Sequence, residues 1–374
     1  MKNKLGVYIH VPFCAKKCPY CDFYSVSFSS DTAKAYAQAV VRNIIDGEYS
    51  EQLRSGYLCD SIYFGGGTPS ILSAELISAM ISAVRNTLEV TSDCEITLEC
   101  NPCCFRGSKR EKLGELLRAG VTRLSFGVQS TDGGELSRLG RIHSAEEAKS
   151  VIFSAAELGC ENISADLMLA LPEQSITLLD RTLDDFSALP LTHISAYMLK
   201  VEDGTPFFES GVASELPSDE AAASLYLHAV ERLAEEGFEQ YEISNFARDG
   251  FESRHNCKYW LSEEYYGIGP SASSWLGGKR FAVEKNLTEF IARKRQPITV
   301  TDSSAGSDFE RFMLEIRLTK AGVRPDKFGF FSALTAERIA RLEGNGLVSF
   351  SDGILRLTPQ GCLVSNAVIN YLTD

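Results

Sequence analysis

Short apolar runs alternate with helical patterns through the first two thirds of the chain. The runs fall at Gly6–His10, Ser61–Phe64, Glu95–Leu98, Arg123–Gly127, Ser164–Leu169 and Ile194–Leu199. Each is short, bounded by turn residues and rich in residues that suit a buried strand. Between them lie stretches with apolar positions at helical spacing, among them Ser73–Leu88, Ser144–Leu158 and Thr177–Ala188. Ser144 and Glu147 have the spacing of a capping box, which marks the start of the second helix. Strand, helix, strand in repeated order predicts βα units around a parallel sheet. Six such units fit an open barrel better than a closed eightfold one, and chemistry in folds of this kind gathers at the carboxyl ends of the strands.

The pattern changes after residue 216. A helix is predicted over Asp219–Glu236, followed by a dense aromatic segment. From Ser307 a further part contains a helix at Thr335–Glu343, a Gly344-Asn-Gly346 stop, and two short strands, Val348–Ser351 and Ile354–Leu357, joined across Asp352-Gly353. A helix followed by a two-stranded wing reads as a small winged-helix-like α+β domain. The expected division is therefore 1–216 for the barrel, 217–306 for a connecting aromatic-rich segment and 307–374 for the C-terminal domain.

Composition narrows the classes of function. Of 374 residues, 44% are hydrophobic and 23% charged, enough to build a large core. No apolar run approaches the ~20 residues of a membrane-spanning helix, and no amphipathic stretch stands out as a membrane anchor. The basic residues at Met1–Leu5 lead straight into strand-like sequence rather than an export signal, so a cytoplasmic location is expected. A net charge of −13 speaks against nucleic acid as a general partner. Eight of the eleven cysteines lie outside the motif described next and follow no disulfide framework, which agrees with a reducing compartment.

The strongest chemical signal is Val11-Pro-Phe-Cys-Ala-Lys-Lys-Cys-Pro-Tyr-Cys21. Cys14, Cys18 and Cys21 stand in C-x3-C-x2-C spacing directly after the first strand. Three thiolates on one loop can hold three irons of a [4Fe–4S] cluster and leave the fourth iron open to another ligand. The other readings are a zinc site or free thiols. Zinc motifs usually pair C-x2-C with a second ligand pair, and none stands out downstream. Gly65-Gly66-Gly67-Thr68-Pro69 follows the second strand, where glycines let backbone approach a ligand and bare amides can bind a carboxylate. Glu99, Gln129, Arg141 and Asp166 then fall at or after the ends of successive strands. Each alone has the look of a structural polar group. Vicinal Cys103-Cys104 read as ordinary thiols, and His10 as a support for the cysteine loop.

With these residues assembled, the chain resembles the oxygen-independent coproporphyrinogen III oxidase-like group of radical S-adenosylmethionine (SAM) proteins. The resemblance runs from Tyr8 to about Leu363. It includes His193-Ile-Ser-Ala-Tyr197, Glu202-Asp-Gly-Thr-Pro-Phe207, Tyr241-Glu-Ile-Ser-Asn-Phe246 and Tyr266-Gly-Ile-Gly-Pro-Ser-Ala-Ser-Ser-Trp275. It implies a partial (β/α)6 barrel, a [4Fe–4S] cluster on Cys14, Cys18 and Cys21, and SAM held by Gly66, Gly67, Thr68, Glu99, Gln129, Arg141 and Asp166. It also implies aromatic neighbours for SAM at Tyr8 and Tyr20, which read equally as core packing. Thr68 stands where the wider superfamily has glutamate, as in this group.

Two features choose a branch. The decarboxylating members carry one more cysteine two residues after the third, where this chain has Phe23, and a longer segment before the cluster. Arg254-His-Asn-Cys-Lys-Tyr-Trp260 contains H-N-x-x-Y-W, which resembles the haem-binding motif of HemW-like haem chaperones. That likeness implies haem as cargo, His255 as its axial ligand, and apo-haemoproteins of the respiratory chain as recipients. Taken alone, His255 reads also as a hydrogen-bonded packing residue, and Cys257 as an alternative ligand. A homodimer is left open. The alternative function is that of a radical SAM enzyme removing propionate carboxylates from coproporphyrinogen III.

Overall fold

In the computed structural model, which describes residues 2–303, 305–331 and 333–373, six strands run parallel and side by side in chain order. They are β1 (Asn3–Val11), β2 (Tyr57–Gly66), β3 (Glu89–Cys100), β4 (Arg123–Gln129), β5 (Asn162–Leu169) and β6 (His193–Met198). The crossover helices are α1 (Ser30–Asp46), α2 (Ala74–Thr87), α3 (Lys109–Arg118), α4 (Ala145–Glu157) and α5 (Ile176–Ser187). The sixfold βα order expected from the sequence is thus the observed one. The capping box on α4 is present, with Ser144 Oγ accepting from Glu147 N and the Glu147 side chain accepting from Ser144 N.

Alternation along each strand separates the two faces of the sheet. On β4, Leu124, Phe126 and Val128 are fully buried, whereas Arg123, Ser125 and Gly127 point to the other side, into the barrel. Helix α1 meets the outer surface with Ala33, Tyr36, Ala37, Val40 and Ile44, a stripe at helical spacing. The outside of the sheet is therefore the apolar core, and the inside is lined by polar and aromatic groups.

The segment over 217–306 extends this sheet at both edges. After α6 (Asp219–Glu235) come β7 (Glu239–Glu242) and β8 (Asn245–Ala247), which continue antiparallel beyond β6. The chain then forms α7 (Arg254–Trp260). It re-enters the sheet at the opposite edge as β9 (Tyr265–Ile268), parallel to β1, followed by antiparallel β10 (Ser273–Leu276), β11 (Lys279–Val283) and β12 (Ile298–Asp302). The complete order is β12-β11-β10-β9-β1-β2-β3-β4-β5-β6-β8-β7. Helix α7 is the link that carries the chain from one edge to the other.

The C-terminal part has α8 (Asp308–Glu315), α9 (Ala333–Gly344), the hairpin β13 (Val348–Ser351) and β14 (Ile354–Leu357), and α10 (Ser365–Thr373). The wing lies where the sequence placed it. Phe312 on α8 packs among Phe328, Phe330 and Phe331. Among the described residues no helix is long and apolar enough to cross a membrane.

Candidate functional site at the carboxyl ends of the barrel strands

The loop carrying the three cysteines leaves β1 and is closed at its base by a short parallel pairing, Phe13 with Val26 and Cys14 with Ser27. Cys14, Cys18 and Cys21 are free thiols, all partly exposed. Thr68 Oγ1 donates to Cys14 Sγ at 3.5 Å, and Arg141 Nη1 to Cys18 Sγ at 3.4 Å. Among the described residues no three His, Cys, Asp or Glu side chains converge on one point as a single bound ion requires. A cubane has no such need, because it takes each cysteine at a different iron. The donors fit a [4Fe–4S] cluster with one iron left over, and they fit a closed zinc site poorly.

His10 supports this loop. Its Nε2 is 3.0 Å from Tyr24 O and its Nδ1 is 3.2 Å from Tyr8 OH. The glycine loop packs against the same structure. Gly66 has φ +106°, and a Cβ there would lie 2.5 Å from the His10 ring; one on Gly67 would lie 2.7 Å from Phe13 O. The amides of the loop are already used. Gly66 N donates to Glu99 Oε2 at 3.1 Å, Gly67 N to Val11 O at 2.9 Å and Thr68 N to Phe13 O at 2.7 Å. The loop thus serves by close packing of cysteine strand and Glu99 rather than by free amides.

Glu99, Gln129, Arg141 and Asp166 come together here. Glu99 Oε1 accepts from Tyr63 OH at 2.9 Å. Burial raises the Glu99 carboxyl to about 7, with nearby Asp166 adding to the rise and the Tyr63 and Gly66 hydrogen bonds opposing it. Burial likewise raises Asp166 to about 6, against the pull of Tyr197, Arg123 and Arg141. Gln129 adopts φ +74°, which turns its side chain at the strand end. Its Oε1 and Arg141 Nε are buried without hydrogen-bond partners among the described residues. Arg141 Nη2 donates to Gly127 O. A Cβ on Gly127 would sit 3.1 Å from Gln129 Nε2, 3.2 Å from Arg141 Nη2 and 3.8 Å from Asp166 Oδ2. The arrangement offers carboxylates to an ammonium or hydroxyl, and an unpaired donor and acceptor to a carboxylate or ribose. Those are the polar groups of SAM, and the residues fit it. Tyr20 joins this end, 3.5 Å from Arg141 Nη1 and in ring contact with Phe207.

His255 lies elsewhere. It belongs to α7, which covers the amino ends of the strands. Its Nδ1 is 2.9 Å from Ser61 Oγ and its Nε2 is 3.0 Å from Tyr259 OH, and the residue is fully buried. Ser61 and Gly66 are five positions apart along β2, roughly 17 Å of strand. Burial, with Lys258 adding to it, lowers His255 to about 3, so the ring is neutral. In this conformation neither nitrogen is free to ligate iron. Tyr8 stands between the two ends, its ring 6.1 Å from Tyr63 and 6.2 Å from His255.

Sequence reasoning passed over Gly127, Tyr63 and Arg123. Gly127 had a signal, a glycine inside a strand pattern, which marks a close approach or a bulge; the register with β5 does shift between Phe126 and Gln129. Tyr63 had none beyond its place before the glycines. Arg123 is fully buried in the barrel with Nε and Nη1 unpartnered among the described residues, beside Glu99 and Asp166, and nothing in the sequence separates it from a surface arginine.

Comparison with known proteins agrees with this geometry. The pattern of the radical SAM superfamily matches residues 8–186. The chain is 34% identical over 377 residues to a Bacillus subtilis protein named "Heme chaperone HemW", covering 97% of both chains. It is 37% identical over 333 residues to the Escherichia coli protein of the same name, covering 86% of this chain and 84% of that one. The structure of the Escherichia coli coproporphyrinogen III oxidase HemN, described as a radical SAM enzyme, superposes with a TM-score of 0.81 over the full chain and 90% of its own, at 20% identity. A cysteine triad and polar strand ends arranged on this barrel, with relatives alike over nearly their whole length, place the chain in the HemW family of the radical SAM superfamily.

Proposed function

We propose that the protein is a cytoplasmic haem chaperone, which binds haem and passes it to apo-haemoproteins of the respiratory chain. Identity with a protein named a heme chaperone, spread over 97% of both chains, carries this reading. Cys14, Cys18 and Cys21 would hold the cluster. Glu99, Gln129, Arg141, Asp166 and the Gly66-Gly67-Thr68 loop would hold SAM, with Tyr8 and Tyr20 close by. When bound, cluster and SAM supply one-electron chemistry; the chain's part is to fix the thiolates, to match SAM's charges and to enclose its reactive end.

The test is a haem titration of the anaerobically reconstituted protein, followed by Soret absorbance, and then mixing with an apo-haemoprotein. Saturable binding and transfer of the Soret band to the recipient are the expected results. Failure to bind haem overturns the reading.

The second reading, an enzyme that oxidatively decarboxylates coproporphyrinogen III, is favoured by the unpartnered Gln129 Oε1 and Arg141 Nε in an intact SAM site. Phe23, largely exposed where that reading wants a cysteine, opposes it. Protoporphyrinogen IX formed from coproporphyrinogen III under reducing, anaerobic conditions with SAM would establish it.

A further inference from the structure

Helix α7 is a stopper in the amino-terminal mouth of the barrel, pinned on several sides. Glu95 accepts the backbone amides of Arg254 and His255, each at 3.3 Å. Lys258, 2% exposed, ion-pairs with Asp60 at 2.7 Å and Glu263 at 2.8 Å. Tyr241 OH bridges Ser253 N at 3.2 Å and His193 Nε2 at 2.9 Å, and His193 Nδ1 meets Ser164 Oγ at 2.8 Å. Arg317 stacks over Trp260, 5.9 Å from its ring centre, and ties the stopper to the chain after α8.

Inside this frame the His255 ring is enclosed on every side. Ser61 and Tyr259 occupy its two nitrogens. Tyr63 stacks against it at 5.1 Å, and Tyr8 lies 6.2 Å away. On the remaining edge β1 passes so closely that a Cβ on Gly6 would be 3.0 Å from His255 Cε1. An axial bond to haem needs a free nitrogen lone pair and open space for a macrocycle beside it. This site offers neither. What the ring does touch is Tyr63, whose hydroxyl donates to Glu99 at the other end of the barrel.

We propose that His255 is a positioning residue for the SAM site rather than the haem ligand: fixed by Ser61 and Tyr259, it holds Tyr63 so that Tyr63 sets Glu99. This rests on the reading that Glu99 and its neighbours bind SAM. Partners that orient a metal ligand from behind typically cost about 10–100-fold in affinity or activity when removed, and the lower figure is the expectation for this more distant chain of contacts. Haem, in this view, docks away from α7.

The experiment uses the full-length, anaerobically reconstituted protein with two readouts. SAM is titrated against the electron paramagnetic resonance spectrum of the reduced cluster, and haem against Soret absorbance. The forms compared are wild type, His255→Leu, His255→Gln and Tyr259→Phe. His255→Leu is expected to need about tenfold more SAM for the same spectral change. His255→Gln, which keeps one donor and one acceptor, recovers most of the response. Tyr259→Phe, which removes a single hydroxyl and keeps the packing, shifts the response in the same direction by less, and it carries the test if His255→Leu fails to fold. Haem affinity stays at the wild-type value throughout.

Loss of haem binding in His255→Leu with an unchanged SAM response overturns the proposal. So does tighter haem binding in Tyr259→Phe, because that variant frees Nε2. A wild-type cluster that ignores SAM refutes the SAM site itself. A wild type that responds, with variants that respond equally, refutes only the role of His255.

Discussion

At the carboxyl ends of the barrel strands, the buried Gln129 Oε1 and Arg141 Nε have no partner among the described residues, and three thiols stand unbonded to one another. At the amino ends, Ser61, His255 and Tyr259 satisfy one another, and so do Ser164, His193 and Tyr241. Both ends use buried polar and aromatic side chains. Around the cysteine loop hydrogen-bonding capacity is left over; around His255 and His193 it is consumed, while buried Arg123, whose charge acts on Glu99, Asp166 and His193 alike, keeps Nε and Nη1 unmet among the described residues. Since an unmet buried polar group costs free energy, a protein keeps one where a ligand repays it. The difference marks the surroundings of Gln129, Arg141 and Arg123 as the candidate binding surface, and those of His255 as structural.

The comparison can be broken most completely from the binding end. Cys18→Ala should abolish the cluster's visible absorbance on anaerobic reconstitution. Its unfolding free energy in urea as apo-protein should stay within about 0.5 kcal/mol of wild type, since the thiol is partly exposed and carries no core packing. If iron is retained in full, the ligand assignment fails.

The reciprocal change is Lys258→Ala. It removes the nearer of the two lysines paired with Asp60, leaving Lys4 at 3.8 Å, and should cost about 3 kcal/mol in urea unfolding, the low end for a broken buried pair. The fraction that stays folded should take up iron normally. A loss below about 1 kcal/mol would mean the amino end is far less tightly closed than the geometry implies.

Gly66→Ala sharpens the contrast from inside the binding end. It sets a side chain at φ +106° and 2.5 Å from the His10 ring. A cost of about 1–3 kcal/mol is expected, together with poorer cluster retention as His10 loses its hold on the loop. Wild-type stability and iron content would show that the loop shifts freely.

The smallest effects are in pH dependence, where the two ends have opposite signs. Glu99 is raised from 4.5 to about 7 in the folded protein. Its contribution to stability is complete below pH 4.5 and is lost as pH rises through about 7. His255 is lowered from 6.5 to about 3. Its contribution is complete above pH 6.5 and is lost as pH falls through about 3. Glu99→Gln should therefore flatten the decline on the alkaline side of pH 4.5, and His255→Gln the decline on the acid side of pH 6.5, each by about 1–2 kcal/mol. Unfolding midpoints of the apo-protein across that range decide it; slopes unchanged in both variants would remove these groups from the account.

The barrel's order was legible because parallel strands under helices read as short apolar runs with helical patterns between them. The wing was legible for a similar reason, since Asp352-Gly353 between two short strands marks a hairpin. The extension of the sheet was harder to see. Strands β7 to β12 are only three to five residues long, and nothing local says that the last four of them return to the β1 edge. The candidate site was legible where polar residues stand within or at the close of the apolar runs, as Glu99, Gln129 and Asp166 do. Tyr63 and Gly127 escaped notice because they matter through neighbours on other strands. His255 was visible as a motif, yet its surroundings were not, because Ser61 lies 194 residues away in the chain.

The sequence by itself determined the cysteine loop, the order of six βα units and the polar strand ends, since each depends on local spacing and periodicity. Only the tertiary structure decided which end of the barrel each motif serves. Strand register and the crossing of α7 bring distant residues within hydrogen-bond distance, and such contacts leave no trace in the spacing of any single segment. Cys14 and His255 look alike in the sequence, as metal-ligating side chains in recognisable motifs. One stands partly open at a mouth with polar capacity to spare, and the other is held shut by Ser61, Tyr259 and Tyr63.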